Sequence, residues 1–126
     1  MKVVTSLTNQ RTRQRKTLGK LPQPIPAMGF KRTDKLYLKC KVKNDTPQPV
    51  DTRVEFWLGN RLIDWIGRDS VDHLSQVQKF IKPGKSFVIS KVFTVAERDI
   101  NAMITVGTLF DYIATDHRNI QLVVVD

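Results

Sequence analysis

The chain has 126 residues, 40% of them hydrophobic and 26% charged, with a formal net charge of +9. That length fits one folded domain plus an appendage, and that hydrophobic share excludes the intrinsically disordered class. No stretch reaches the ~18 apolar residues of a membrane-spanning helix, we expect no secretory signal because the sequence turns polar soon after Lys2, and the single cysteine, Cys40, excludes an intrachain disulfide.

The charge is distributed unevenly. Residues 1–33 hold Lys2, Arg11, Arg13, Arg15, Lys16, Lys20, Lys31 and Arg32 and no acidic residue, which leaves 13 of the 21 basic and all 12 acidic residues in 34–126. We therefore divide the chain into a basic N-terminal arm, 1–33, and a nearly neutral body, 34–126. Val3, Val4 and Leu7 form a short apolar patch that either pairs as an edge strand or stays loose. Arg11, Arg13, Arg15, Lys16 and Lys20 make the dense cationic block. Pro22, Pro24 and Pro26 follow at alternate positions. Each proline fixes its own φ and holds the preceding residue in the extended region, so this segment reads as an extended spacer. Fully extended, such an arm spans on the order of 100 Å. A basic, acid-free arm suits contact with nucleic acid, docking on a protein neighbour, or the role of a solubilising tail.

The body alternates apolar and polar residues at period two, the pattern of strands with one buried face. In KLYLKCKVK, Leu36, Leu38, Cys40 and Val42 point one way; Lys35, Tyr37, Lys39, Lys41 and Lys43 point the other as a basic ridge. That ridge serves either as a solvated face or as an anion-docking strip. NDTPQP (44–49) is a turn. Val50, Val54, Phe56 and Leu58 share the inward parity of the next strand. Gly59-Asn60 is a hairpin turn, and RLIDWIG is the return strand, with Ile63 and Trp65 on one parity. Residues 68–80 read either as a loop and then a strand built on Leu74, Val77 and Phe80, or as a segment containing a helical turn. Lys82-Pro83-Gly84-Lys85 is a turn. SFVISKVFTV places Phe87, Ile89 and Phe93 inward, with Lys91 on the same parity at a bulge or solvated strand end. AERDINA (96–102) is a polar loop or helical turn. MITVGTLFDYIA is a strand, TDHRN (115–119) a turn and IQLVVVD the last strand. About seven short strands with frequent turns predict an all-β antiparallel sandwich.

The segments KVKNDTPQPV, TRVEFWLGNRLI, IKPGKSFVISKVFTV and MITVGTLFDYIATDHRNIQLVVVD resemble in their order the CARDB-like and related immunoglobulin-like sandwich modules, over about residues 35–126. The resemblance implies an adhesion, spacer or assembly domain.

No catalytic motif is present: there is no G-x-S-x-G, P-loop, H-E-x-x-H or paired cysteine. Asp72-His73 and Asp116-His117 lack a further ligand at metal spacing, and Asp64, Asp69 and Asp72 lack the pattern of a calcium loop. Cys40, on an inward parity, reads as a buried thiol. We expect no enzyme activity, cofactor or metal. The leading expectation is a structural subunit of a supramolecular particle: a virion protein, such as a capsid cement, decoration or minor head or tail component, assembled in the host cytoplasm. It would be multi-copy and would tether protein neighbours through its arm without contacting membrane. The expected contact residues are Arg11, Arg13, Arg15, Lys16, Lys20, Pro22, Pro24, Pro26, Lys31, Arg32, Lys39 and Lys41. The alternative is a nucleic-acid-binding protein with an OB-like barrel, its arm on phosphates and Trp57, Trp65 and Tyr37 as stacking platforms.

Overall fold

The computed structural model describes residues 1–20, 23–59, 71–94 and 103–125, with the backbone alone for 71–77 and 114. Among these residues the chain is all-β, without a helix. The strands are β1 Lys2–Asn9, β2 Arg15–Thr17, β3 Ala27–Phe30, β4 Lys35–Lys43 and β5 Val50–Gly59. They continue as β6 Val71–Ile81, β7 Ser86–Thr94, β8 Met103–Phe110 and β9 Ala114–Val124. One sheet has the order β2-β1-β4-β7 and the other β3-β9-β8-β5-β6. Both contribute to one hydrophobic core, the layering of a β-sandwich.

Period-two patterning explains most of this core. Leu36, Leu38, Cys40 and Val42 of β4 are all fully buried, as are Val54 and Phe56 of β5, Ile104 and Val106 of β8, and Ile120 and Leu122 of β9. Two of the predicted turns, at 44–49 and 82–85, also form. At the first, the Asn44 side chain donates to the carbonyls of Gln48 (2.7 Å) and Ile81 (2.9 Å) while accepting from the Thr46 amide (2.9 Å). At the second, Gly84 takes a φ of 74°, which glycine adopts without penalty.

The first thirty-three residues differ from the expected arm. β1 pairs antiparallel with β4 along its whole length, from Lys2 opposite Lys43 to Asn9 opposite Leu36. β2 pairs on the other side of β1, so β1 is an interior strand. β3 pairs in parallel with β9. Val3, Leu7, Leu18, Met28 and Phe30 join the same core cluster as the body residues. The cause is visible in the sequence: Val3, Thr5, Leu7 and Asn9 alternate onto one buried face, and Met28 and Phe30 do the same. Residues on both sides of position 33 therefore share one core, and the described residues form nine strands, against an expectation of about seven.

Other expectations shift locally. TDHRN is part of β9, not a turn. The chain reverses instead at residues 111–113, where Asp111 and Tyr112 take φ values of 51° and 60°. Polar residues fill β9 here because Asp116 and Arg118 face inward as a bonded pair, Arg118 Nε donating to Asp116 Oδ1 at 2.8 Å. Phe80 lies outward on β6 and is 65% exposed, whereas its neighbour Ile81 is buried. Lys91 pairs with Leu38 in an unbroken register, so no bulge forms there. β7 is an edge strand, and Lys91 reaches solvent past the sheet edge, a charge that opposes edge-to-edge pairing. The irregularity lies instead between Phe56 and Trp57, in the pairing of β5 with β6. Pro22, the turn at Asn60, the return strand with Ile63 and Trp65, Asp64, Asp69 and the 96–102 loop lie outside the described residues.

Between β2 and β3 the chain crosses from one sheet to the other, and Gly19 holds this crossing. Gly19 and Asn119 exchange two backbone hydrogen bonds of 2.9 Å. A Cβ at position 19 would lie 2.7 Å from Pro26 Cδ and 3.2 Å from the Pro24 carbonyl oxygen. Gly19→Ala is expected to destabilise the fold by about 1–3 kcal/mol, as overpacking does. Urea denaturation checks this; a loss below about 0.5 kcal/mol, the scale of a neutral surface change, contradicts it.

Candidate functional site

Charge separates between the two sheets. The strands β1, β2, β4 and β7 contain no aspartate or glutamate. Their sheet directs Lys2, Arg15, Lys35, Lys39, Lys41 and Lys43 to its outer face; Lys16 and Lys91 fall on the other parity. The second sheet carries Asp51, Glu55, Asp72 and Asp116 against Arg53, Lys79 and Arg118. The four-stranded sheet is thus a one-sign surface, and the five-stranded sheet a mixed one.

Register places the outer-face residues in rows across the strands. Lys2 stands opposite Lys43, which stands opposite Ser86. The next row is Val4, Lys41 and Val88; then Ser6, Lys39 and Ser90; then Thr8, Tyr37 and Val92. Arg15 extends the Thr8 row on β2. Lys35 ends the face opposite Thr94. Val4, Val88 and Val92 are each more than two-fifths exposed, so the cations are interleaved with open apolar ground. None of the six cations forms an ion pair with a described carboxylate. Lysines directly opposite each other, as at Lys2 and Lys43, repel.

The contact residues named from the sequence divide three ways. Arg15, Lys39 and Lys41 lie on this face. Arg11, Lys16 and Lys20 are instead engaged by the fold. Arg11 grips Asp34 through Nε (2.5 Å) and Nη2 (3.0 Å). Lys16 Nζ donates to the Ala27 carbonyl at 2.6 Å, and Lys20 Nζ to Asp116 Oδ2 at 3.1 Å. Arg13 lies exposed in a turn with φ 62°, and Lys31 and Arg32 lie exposed in the turn before β4. Pro24 is exposed and Pro26 is half-buried near Gly19. Lys2, Lys35 and Lys43 are additions to the named set. The alternation along β4 already aligned Lys35 and Lys43 with Lys39 and Lys41; only strand pairing could bring Lys2 and Arg15 beside them. Tyr37 and Trp57 lie on the outer faces of different sheets, so they form no shared stacking platform. The strands also form two separate sheets rather than the single barrel of the alternative reading.

The acidic groups at the strand ends are structural. Asp34 is 3% exposed and accepts from Arg11, from Asn9 Nδ2 (2.8 Å) and from the Lys31 amide (2.8 Å). The Arg11 hydrogen bonds, foremost, hold its carboxyl well below the usual carboxylate range. Burial pushes the Asp116 carboxyl up, but hydrogen bonds from Arg118 and Lys20 outweigh it and hold the group below its ordinary value. Both groups are depressed on folding. Their contribution to stability is present above the unfolded pKa, ~4, and is lost as pH falls below it. Asp34→Asn is expected to cost about 1.5–3 kcal/mol at pH 7, the scale of hydrogen bonds to a charged group. The gap between variant and parent should narrow at pH 3. Denaturant titrations at the two pH values check this; a gap that does not change with pH contradicts it.

Cys40 lies in the core, where burial pushes its thiol up to about 11 and Thr5 Oγ1 approaches its sulfur at 3.7 Å. It is a packed, protonated side chain rather than a nucleophile. Among the described residues no group of three His, Cys, Asp or Glu side chains is placed to hold a metal ion.

No protein-family model matches the sequence, and no curated protein matches it. Among solved structures, the chain is similar to a β-glucosidase from Erythrobacter marinus, with 16% identity and a TM-score of 0.46, over 75% of this chain and 14% of that one. It is also similar to a β-glucosidase from Listeria innocua solved with gluconolactone, with 10% identity and a TM-score of 0.40, over 94% of this chain and 16% of that one. The chain therefore spans less than a fifth of the length of either enzyme.

Proposed function

We propose that the chain is a non-enzymatic structural subunit of a large particle, of the virion kind, and that it docks on an anionic neighbour through the outer face of its four-stranded sheet. The observation that carries this reading is the six-cation face without a carboxylate in any of its strands. The role first given to a free arm passes to this face, because the arm's apolar residues are committed to the core. A rigid sheet suits docking: its side chains are held in fixed rows and lose little freedom on binding.

We infer an immunoglobulin-like arrangement for the sandwich. β1, β4 and β7 occupy the places of the A, B and E strands, and β5, β8 and β9 those of C, F and G, with β6 added beside β5. The transfer of the N-terminal chain to β9, as β3, fits the same scheme.

Retention on a sulfated-polysaccharide column tests the docking reading. Lys39→Glu/Lys41→Glu changes the face, while Lys79→Glu/Lys82→Glu makes the same change in net charge beside the other sheet. The face variant should elute at clearly lower salt than the control variant. Equal elution of the two contradicts a localised face and leaves net charge alone as the cause.

A further inference from the structure

We infer that the anionic partner of the four-stranded sheet is the phosphate backbone of a nucleic acid, bound without regard to sequence. This rests on the docking reading above and adds the chemistry of the partner. Three features of the face point to it.

The first is spacing. Outward side chains on one strand recur every ~6.8 Å. Lys39, Lys41 and Lys43 are three successive outward positions of β4, and Lys35 continues the line beyond Tyr37. A duplex carries one negative charge per ~1.7 Å of its axis, so a lysine row laid along it faces a dense line of phosphates. From Lys35 to Lys43 the row spans about 27 Å, the length of roughly eight phosphate steps. A regular line of like charges fits a regular linear polyanion.

The second is the company the cations keep. Apart from the Lys2–Lys43 pair, the outward cross-strand neighbours of the cations are hydroxyls or valines: Ser6, Thr8, Ser86, Ser90 and Thr94 among the former, Val4 and Val88 among the latter. Hydroxyls donate to phosphate oxygens and position a backbone. The outer face carries no asparagine, glutamine or carboxylate, the side chains that read adenine or cytosine edges. Lysine and arginine meet guanine edges as well as phosphates, but a set without adenine- or cytosine-reading side chains discriminates little among sequences.

The third is shape. The cations project from paired strands, not from flexible loops, and Lys2 and Arg15 flank the β4 row on β1 and β2. The large exposed apolar groups Phe80, Tyr112 and Ile113 belong to β6 and the β8–β9 turn, away from this face. Besides the half-buried Tyr37, the face exposes only the short side chains of Val4, Val88 and Val92, and it lacks the Trp, Phe and Leu anchors that a membrane-surface site uses.

The test uses the full chain and a fluorescein-labelled duplex DNA of about 20 base pairs, long enough to exceed the lysine row at ~3.4 Å per step. Anisotropy is followed at several salt concentrations, with poly-L-glutamate as a competitor matched in charge. The expected result is binding with a slope of log K on log salt near −5 when all six cations meet phosphate, at ~0.9 per contact. Two unrelated DNA sequences should bind within about threefold of each other, because backbone contacts carry no sequence information. Poly-L-glutamate should compete poorly. Lys39→Glu/Lys41→Glu should lower the slope by about 2 and weaken binding at least tenfold. The variant's unfolding midpoint should not fall below the parent's, since the face is solvent-facing and the exchange removes like-charge repulsion. Equal competition by poly-L-glutamate overturns the nucleic-acid assignment and leaves the docking reading standing. Absence of binding to both polyanions overturns both. Binding that survives Lys39→Glu/Lys41→Glu unchanged overturns the assignment to this face.

Discussion

Removal of residues 1–33 is expected to abolish the folded state rather than release a tether. The truncation takes away β1, β2 and β3, and with them Leu7, Leu18, Met28 and Phe30, each at most 2% exposed in the full chain. It also strips the hydrogen-bonding partner from one whole side of β4, from Leu36 to Lys43. Unpaired buried backbone groups and an opened core both act against the fold. A marginal stability of about 5–15 kcal/mol for a domain of this size does not survive such a loss. Far-UV circular dichroism and a thermal melt should show no cooperative transition for the truncated chain. A truncated chain that melts cooperatively within a few degrees of the parent contradicts the account.

A pair of phenylalanine substitutions separates the two ways of reading the N-terminal segment. Phe30→Ala should cost about 3–5 kcal/mol, the range for deleting a buried aromatic side chain. Phe30 is 1% exposed and packs in the shared core from β3. Phe80→Ala, at a side chain 65% exposed, should stay within about 0.5 kcal/mol. Chemical denaturation of both variants gives the contrast directly. Similar costs for the two would mean that Phe30 is not in the core.

The sequence was legible where burial alternated strictly. In β4, Leu36, Leu38, Cys40 and Val42 were assigned to the inner face from period two alone, and all are buried. The turns at Asn44 and Gly84 were equally readable, because side-chain bonding to the backbone and positive φ are local properties. Residues 115–119 were not readable, because their polarity mimics a turn while Asp116 and Arg118 satisfy each other inside the sandwich. That compensation depends on Lys20 and Arg118 meeting Asp116 in space. The segment 1–33 failed for a related reason. Its basic residues have three different fates: Arg11 closes on Asp34, Lys20 on Asp116, and Arg15 joins a sheet face. Composition sums them into one cationic arm, and only strand pairing separates them. The lysine ridge of β4 was visible along one strand, but its extension through Lys2 and Arg15 needed the register of β1.

The most direct test of the cationic face is a residue-resolved map of binding. An isotopically labelled chain is titrated with the duplex of about 20 base pairs, long enough to cover the lysine row, while backbone amide shifts are followed. The shifted amides are expected to concentrate in β1, β2, β4 and β7, with the largest changes around Lys39, Lys41 and Lys43. Shifts centred instead on Lys79, Lys82 and Lys85, or spread evenly over both sheets, would contradict that expectation.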